Sequence, residues 1–148
     1  MLTITTINER DIFETRCQTI VNTVNCVGVM GKGIALEMKN RYPEMFEKYK
    51  DFCQKGYIDI GKLWLYKYSD EKWILNFPTK KHWKDNSEYE YIEEGMKKFL
   101  NTYKERGIKT IAFPMLGCNN GGLDKDKVLQ IMVQYLIKCE DIIVEIYI

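Results

Sequence analysis

Hydrophobic and polar residues along the chain follow two different periods. Short stretches that alternate between apolar and polar positions, or that are fully apolar, are typical of strands. Six stretches have this pattern: residues 2–6, 19–21, 61–68, 72–77, 110–113 and 142–148. The third and fourth flank the polar turn 69–71 and predict a hairpin, and we expect the second strand to end at Asn22.

Longer stretches carry apolar residues at the spacing of one helix face. Four stretches have this pattern: the segment from near Lys32, the segment from Pro43, residues 87–107, and residues 128–136. Ser87 and Glu90 have the spacing of a capping box, and Gly107 suits the position after a helix C-terminus. Strands that alternate with helices predict an α/β sandwich with a mixed, largely parallel sheet and helices on both faces.

The composition is that of one folded domain. At 148 residues with 45% apolar content, the chain is long enough to bury a sizeable core and too short for a second domain. We therefore expect a single domain over residues 1–148. The 22 Lys and Arg residues nearly balance 21 Asp and Glu residues, so any affinity for nucleic acid must be local.

The cysteines and the N-terminus bear on the compartment. Five cysteines are an odd number and form no Cys-x-x-Cys pair, which argues against a disulfide framework and a zinc site. A reduced, cytoplasmic chain fits this pattern. Residues 1–6 lack a basic region, and no stretch approaches the ~20 apolar residues of a membrane span. We therefore expect neither secretion nor a membrane partner.

A glycine-spaced loop follows the second predicted strand. Glycines 28, 31 and 33 allow backbone N–H groups to turn toward an anion, and the helix that begins near Lys32 adds its positive end. The loop has neither the Walker sequence nor the Gly-x-Gly-x-x-Gly spacing of a dinucleotide fold. It predicts a phosphate-binding loop of another kind.

A second loop of the same form covers residues 115–124, between the strand at 110–113 and the next helix. Ligands of α/β sheets bind beyond the carboxyl ends of the strands, so loops 25–33 and 115–124 can face one another across one crevice. Each loop alone is better explained as a tight strand-to-helix turn. The two together favour a site for a diphosphate.

The stretch Asn76–Lys84 is a third candidate, because a strand followed by a proline delivers Lys80 to the end of the sheet. A partly desolvated lysine can lose its proton and act as nucleophile or base. Lys81 and Lys84 are better explained as solvated surface charges. His82 is the only histidine, which excludes histidine triads and multi-histidine metal sites. With Trp83 and the lysines it forms a basic, aromatic patch of the kind that binds single-stranded nucleic acid.

Taken together, five motifs resemble the macrodomain family. They occur in the family's order at residues 11–13, 21–25, 28–35, 76–83 and 117–124. The second, third and fourth resemble more narrowly the branch of DNA ADP-ribosyl glycohydrolases that serve as DarG-type antitoxins. The resemblance implies a three-layer α/β/α macrodomain sandwich and ADP-ribose as the ligand.

The resemblance assigns roles to individual residues of the binding site. Asp11 would accept from the adenine amino group with the Ile12 backbone nearby, Asn22 and Asn25 would lie near the distal ribose, and the glycine loops would hold the diphosphate. The binding residues that it implies are Asp11, Ile12, Asn22, Asn25, Gly28, Val29, Met30, Gly31, Lys32, Gly33, Pro114, Leu116, Gly117, Cys118, Asn119, Asn120, Gly121, Gly122 and Leu123. Lys81, His82 and Trp83 would contact the nucleic acid.

The resemblance also implies a catalytic pair, Lys80 and Asp124. A lysine amine is a competent nucleophile for the anomeric carbon of the distal ribose and passes through a Schiff base. An aspartate can position or deprotonate that lysine or a water. Asp124 also stands directly before a helical pattern, where Asp is a preferred N-cap, and the two roles are compatible. Asp11 is likewise explained as a turn residue.

The resemblance implies removal of ADP-ribose from modified nucleic acid, most directly thymidine in single-stranded DNA, as antitoxin to a DNA ADP-ribosyltransferase. No metal and no cofactor is expected. Three alternatives remain open: ADP-ribose removal from protein carboxylates or O-acetyl-ADP-ribose, ADP-ribose binding without turnover, and sensing of an NAD-derived signal. Two features depart from the family pattern. Arg10 stands where macrodomains commonly have glycine, and the antitoxins usually carry a further C-terminal region that neutralises the toxin.

Overall fold

Strands and helices alternate along most of the chain in the computed structural model, which describes residues 1–148. The strands are β1 (Thr3–Ile7), β2 (Thr19–Val24), β3 (Trp64–Lys67), β4 (Trp73–Pro78), β5 (Thr110–Pro114) and β6 (Ile143–Tyr147). The helices are α1 (Gly33–Arg41), α2 (Pro43–Gln54), α3 (Tyr89–Thr102) and α4 (Lys125–Leu136). A single turn of 3-10 helix, Ile12–Glu14, follows β1.

The six strands form one mixed sheet in the order β1-β6-β5-β2-β4-β3. All neighbouring pairs are parallel except β3 and β4, which form the antiparallel hairpin that the alternating pattern predicts. The carboxyl ends of β2, β4 and β5 therefore meet at one edge of the sheet. The prediction of a mixed, largely parallel sheet is confirmed.

Consecutive residues of the central strands enter two separate cores. Val21 and Ile111 belong to the core beneath α3 and α4, whereas their neighbours Ile20 and Ala112 belong to the core beneath α1 and α2. Parallel strands buried on both faces read as continuous apolar runs, which is the pattern of residues 19–21 and 110–113. The molecule thus has the three layers of an α/β/α sandwich.

Helix α3 packs unusually close to β4 at a glycine. A Cβ atom on Gly95 would lie 2.1 Å from Phe77 Cζ, and Phe77 is completely buried. The absence of a side chain at Gly95 is therefore what allows the ring of Phe77 to fill the space between sheet and helix.

Several details differ from the predictions. Helix α3 ends at Thr102 with Tyr103 as its C-cap, so Gly107 does not directly follow the helix C-terminus. Strand β2 continues past Asn22 to Val24, because Thr23 and Val24 pair with Phe77 and Pro78 of β4. The predicted capping box is wrong: α3 begins at Tyr89, its N-cap Glu88 makes no side-chain cap, and the Ser87 hydroxyl has no hydrogen-bond partner.

The reason for the missing capping box lies in a neighbouring loop. The Ser87 N–H donates to the Gly121 carbonyl at 2.9 Å, and the side chain is buried against that loop. A contact between distant residues has replaced the local one that the Ser87 and Glu90 spacing predicts. All five cysteines are free, and no helix has the length and apolar character needed to cross a membrane.

Candidate functional site

A cleft of about 1070 Å³ lies at the edge of the sheet where β2, β4 and β5 end. Its walls come from the segments that follow these strands, together with residues near the ends of the chain. These segments are residues 23–35, 79–86, 114–121, 10–12 and 147–148. The expectation that loops 25–33 and 115–124 face one crevice is therefore confirmed.

The first loop is held in shape by Asn25. Its side-chain oxygen accepts from the N–H groups of Val27 at 3.1 Å and Val29 at 3.4 Å, and its amide donates to the Val29 carbonyl at 2.7 Å. The buried Tyr49 hydroxyl donates to the same oxygen at 2.9 Å. Asn25 lines the cleft and at the same time fixes the loop that forms its wall.

The first loop leads into the N-terminus of α1 without a side-chain cap. Lys32 occupies the N-cap position and provides no capping bond, and Gly33 has a φ of +55°. The first N–H groups of a helix have no partner within the helix. An anion in the cleft can therefore accept from them and gain from the positive end of the helix.

The second loop closes so tightly that only glycine fits at its centre. The Leu123 N–H donates to the Gly117 carbonyl at 3.0 Å. A Cβ atom on Gly121 would lie 2.3 Å from that carbonyl oxygen and 2.2 Å from Ser87 Oγ. The two loops also approach each other, since a Cβ atom on Gly33 would lie 3.2 Å from Asn120 Nδ2.

Lys80 enters the cleft from the end of β4 and is half-buried. Its Nζ donates to the Trp83 carbonyl at 3.3 Å. Burial and the nearby Lys32 ammonium lower the pKa of Lys80, whereas the Asp85 carboxylate acts in the opposite direction. The amine is therefore more easily deprotonated than that of an ordinary surface lysine, as the sequence position predicts.

The backbone of this lysine segment is tied to the first loop through Cys26. The Cys26 N–H donates to the Lys81 carbonyl at 3.2 Å, and its thiol donates to the Lys80 carbonyl at 3.3 Å. Burial raises the pKa of the Cys26 thiol to about 12. The thiol therefore stays protonated near neutral pH and acts as a donor, not as a nucleophile.

Another wall of the cleft comes from the short helical turn after β1, which begins at Ile12 and has Asp11 as its N-cap. The Asp11 carboxylate accepts from the Phe13 N–H at 2.9 Å and caps this turn. Both residues line the cleft, and Asp11 is solvent-exposed, so its second carboxylate oxygen remains open to a ligand. The turn role and the ligand role predicted for Asp11 are thus compatible.

Most of the residues that the sequence assigns to binding line the cleft, and six do not. Outside the lining are Asn22, Gly28, Met30, Leu116, Gly122 and Leu123. Asn22 is completely buried, and its amide donates to Asn76 Oδ1 at 3.0 Å. It has no exposed surface in this structure, and its place near the distal ribose stays a prediction.

The two residues predicted to form a catalytic pair occupy different places. Lys80 lies in the cleft, but Asp124 is exposed, lies outside the cleft lining and caps α4, where its carboxylate accepts from the Lys127 N–H at 3.1 Å. The N-cap role predicted for Asp124 is confirmed. Its catalytic role stays a prediction.

The three residues predicted to bind nucleic acid also differ in whether they line the cleft. Trp83 lines the cleft with 47% of its surface exposed, whereas Lys81 and His82 lie outside the lining. The rings of His82 and Trp83 are 5.5 Å apart. The aromatic pair therefore lies at the rim, next to Lys80.

Sequence reasoning did not assign several residues of the cleft. They are Arg10, Thr23, Val24, Ile34, Ala35, Thr79, Lys84, Asp85, Asn86, Met115, Lys125, Tyr147 and Ile148. For one of them, Asp85, the residue type is itself a turn signal, because Asp is common in turns. The structure has that turn, since the Asp85 N–H donates to the His82 carbonyl at 3.1 Å. No group of three or more His, Cys, Asp or Glu is arranged to hold a metal ion.

This chain is similar to known proteins in both sequence and structure. The Macro domain family matches residues 21–132. A DNA ADP-ribosyl glycohydrolase of Mycobacterium tuberculosis is 44% identical over 140 residues, which are 93% of this chain and 40% of the relative. The chain thus spans about 40% of the length of this curated relative.

A relative from Thermosipho africanus is a DNA ADP-ribosyl transferase-DNA ADP-ribosyl glycohydrolase fusion protein. It is 40% identical over 157 residues, covering 94% of this chain and 40% of the fusion protein. The structure of Thermosipho africanus DarTG in complex with ADP-ribose matches with a TM-score of 0.92 and 40% identity, over 98% of this chain and 41% of that chain.

The macrodomain of Thermus aquaticus DarG matches over nearly the whole of both chains. The TM-score is 0.90 at 38% identity, with 100% of this chain and 98% of that chain covered. The match includes the sheet and both glycine loops, since no part of this chain lies outside it. The chain therefore belongs to the macrodomain family, in the branch of the DarG macrodomains.

Proposed function

We propose that this chain is an ADP-ribosyl glycohydrolase that releases ADP-ribose from modified DNA, with ADP-ribosylated thymidine in single strands as its substrate. The observation that carries the proposal is Lys80, a half-buried lysine with a lowered pKa in a cleft walled by two glycine loops. Relatives that match most of this chain are named DNA ADP-ribosyl glycohydrolase or DarG macrodomain, and these names support the same activity.

The geometry favours one orientation of ADP-ribose. The adenine would lie at Asp11 and Ile12, where an open carboxylate oxygen can accept from the exocyclic amine. The diphosphate would lie between the glycine loops, where it can accept from the uncapped N-terminus of α1. The distal ribose then reaches Asn25 and Lys80, and the modified base leaves the cleft past Trp83.

Lys80 supplies the chemistry in this proposal. Its neutral amine attacks the anomeric carbon of the distal ribose, the bond to the base breaks, and the amine proton passes to the departing base nitrogen. The sugar ring opens to a Schiff base. Water then adds to that Schiff base and releases ADP-ribose and the free lysine. Asp124, the acid that the family resemblance places in this reaction, stays a prediction.

The proposal is tested with ADP-ribosylated single-stranded DNA. We expect wild-type protein to release ADP-ribose and unmodified strand, measured by mass spectrometry. Lys80→Ala and Lys80→Arg should lose at least about 10³-fold in kcat, because neither side chain supplies a neutral amine. Lys98→Ala, which removes an exposed lysine of α3 far from the cleft lining, is the matched control. Intact substrate after incubation with wild-type protein would refute the activity.

Partners and compartment follow from the same proposal. The Thermosipho africanus relative is named as a fusion of a DNA ADP-ribosyl transferase and a DNA ADP-ribosyl glycohydrolase. This pairing supports a DNA ADP-ribosyltransferase as the enzyme whose modification this chain removes. Lys81, His82 and Trp83 would contact the strand at the cleft rim. Five free cysteines support a reducing, cytoplasmic compartment.

A further inference from the structure

Three aromatic rings beside the cleft each lie close to a lysine ammonium group. The pairs, with the distance from Nζ to the ring centroid, are Lys84 and Trp83 at 5.2 Å, Lys81 and Tyr91 at 5.5 Å, and Lys127 and Tyr89 at 5.8 Å. A cation over an aromatic face is attracted by the negative potential of the ring. Flat apolar surfaces and positive charges therefore alternate here.

The first two pairs connect the cleft to α3. Trp83 and Lys84 line the cleft. Lys81 lies in the same turn after β4, and the ring beneath its ammonium, Tyr91, belongs to the first turn of α3. The surface thus continues without a break from the cleft wall onto the helix.

The third pair continues this surface onto α4. The Asp124 N–H donates to Tyr89 Oη at 3.1 Å, so the N-terminus of α4 lies against that of α3. Lys127 lies in the first turn of α4 and places its ammonium over the same Tyr89 ring. We call the three pairs together the lysine–aromatic rim.

The lysines of the rim are free to contact a ligand. Lys81, Lys84 and Lys127 are exposed, and none of the ion pairs of the molecule includes them. The lysine–aromatic pair formed by Lys50 and Phe46 is different, because the Lys50 ammonium also pairs with Glu47. The rim lysines have no such carboxylate, so a phosphate group can take that place.

The charges of the rim act locally. Five of the seven charged residues that line the cleft are basic. Farther out, Glu90 and Asp126 lie in the same helix turns as the rim residues, so the rim does not produce a uniform positive field. Single-stranded nucleic acid suits this pattern, because it is bound by contacts to individual phosphates and by bases that stack on aromatic rings.

We propose that the lysine–aromatic rim binds the nucleotides that flank the modified thymidine, with a base stacked on Trp83 and phosphates contacted by Lys81, Lys84 and Lys127. The proposal rests on the proposed function, in which the substrate is single-stranded DNA. It extends the strand contact from the turn after β4 to the first turns of α3 and α4. Such a surface recognises backbone and base faces, not base sequence.

The first test measures strand binding without turnover. Fluorescence anisotropy follows a labelled, unmodified oligothymidylate of about 12 nucleotides while NaCl is raised from about 20 to 200 mM. Each phosphate neutralised in a single strand adds about 0.7 to the magnitude of the slope of log association constant against log salt. The rim variant, Lys81→Gln/Lys84→Gln/Lys127→Gln, should therefore lose about 2 from that slope.

A matched control removes three lysines that also lie over aromatic rings but stand outside the cleft lining and the rim. The control variant is Lys39→Gln/Lys67→Gln/Lys138→Gln, and the rings concerned are Phe46, Trp73 and Tyr135. It has the same net charge as the rim variant and should keep the wild-type slope. An equal loss in both variants would assign the effect to net charge and overturn the proposal. Absence of strand binding by wild-type protein at about 20 mM NaCl would overturn it as well.

Stacking has its own readout in the same assay. Trp83→Ala should weaken oligothymidylate binding by about 5- to 150-fold, because a stacked base loses its aromatic partner. The salt slope should stay at the wild-type value, since no charge is removed. Wild-type affinity in Trp83→Ala would contradict the stacked base.

The second test uses turnover on two substrates: an ADP-ribosylated oligonucleotide, and ADP-ribosylated thymidine, which has no flanking nucleotides. The rim variant should lose about tenfold more in kcat/KM on the oligonucleotide than on the nucleoside. Equal losses on both would overturn the proposal. If wild-type protein releases ADP-ribose from neither substrate, the proposed function fails, and the salt series still decides whether the rim binds the strand.

Discussion

In the proposed mechanism the Lys80 amine is the nucleophile, and its neighbours set its charge. Burial is the largest cause of the lowered pKa of Lys80, and the Lys32 ammonium lowers this pKa further. A lowered lysine pKa means that the neutral, nucleophilic amine is reached at lower pH than in an ordinary lysine. The rate of glycosidic cleavage should therefore rise with pH and level off below the ordinary lysine value of 10.5.

A substitution of Lys32 tests whether its charge contributes to the lowered pKa of Lys80. In Lys32→Gln the like charge is gone, so the pKa of Lys80 rises and the ascending limb of the kcat profile moves to higher pH. A Lys32→Gln profile that superimposes on that of wild type would show that Lys32 does not act on the amine.

A second residue-scale prediction concerns the buried Ser87 hydroxyl, which has no hydrogen-bond partner. A buried unpaired polar group destabilises the folded state. Ser87→Ala should therefore raise the free energy of unfolding by about 1 kcal/mol, measured by urea denaturation. Ser69→Ala is the matched control with the opposite expectation, because the Ser69 hydroxyl accepts from the N–H groups of Glu71 and Lys72. A loss of stability in Ser87→Ala would mean that the hydroxyl does have a partner.

Among the elements, the β3–β4 hairpin and the helix from Pro43 could be predicted because their signals are local. Alternation around a polar turn defines a hairpin, and proline suits the first turn of a helix. The absence of the capping box could not be predicted from the local sequence, because the Ser87 N–H donates to the carbonyl of Gly121 in a distant loop. The extension of β2 to Val24 likewise depends on pairing with β4.

The packing of α3 on β4 gives a prediction at the scale of these elements. Gly95→Ala places a methyl group within about 2.1 Å of the buried Phe77 ring, so helix and strand must separate or the ring must move. The free energy of unfolding should fall by about 1–3 kcal/mol. Phe77→Leu creates space at the same point, and the double variant should lose less stability than the sum of the single ones. Strict additivity in urea denaturation would contradict a direct clash.

For the whole molecule, the parallel sheet explains why part of the cleft could be predicted. Strands β2, β4 and β5 end at the same edge, so the motifs that follow them come together there. The contribution of Tyr147 could not be predicted, because it depends on β6 lying between β1 and β5. Arg10 was missed for a related reason: an exposed charge carries no sequence signal of ligand binding until the fold places it beside a cleft.

Because the cleft is built from distant segments of the chain, we expect a bound ligand to stabilise the fold. The cleft is walled by residues near Asp11, by both glycine loops and by Tyr147, so one bound ADP-ribose would contact segments from the beginning, middle and end of the chain. Ligand at 100 times Kd stabilises the folded state by about 2.7 kcal/mol. For a domain of this size, that raises Tm by about 5–10 °C.

Differential scanning fluorimetry with ADP-ribose and with adenosine separates the contribution of the glycine loops. Adenosine lacks the diphosphate and should raise Tm by a smaller amount at the same concentration, because the N-terminus of α1 gains no anion. Gly121→Ala distorts the second loop through contact with the Gly117 carbonyl, so it should lose most of the ADP-ribose shift and keep that of adenosine. Equal losses for the two ligands would place the diphosphate outside the loops, and the orientation proposed for ADP-ribose would then be wrong.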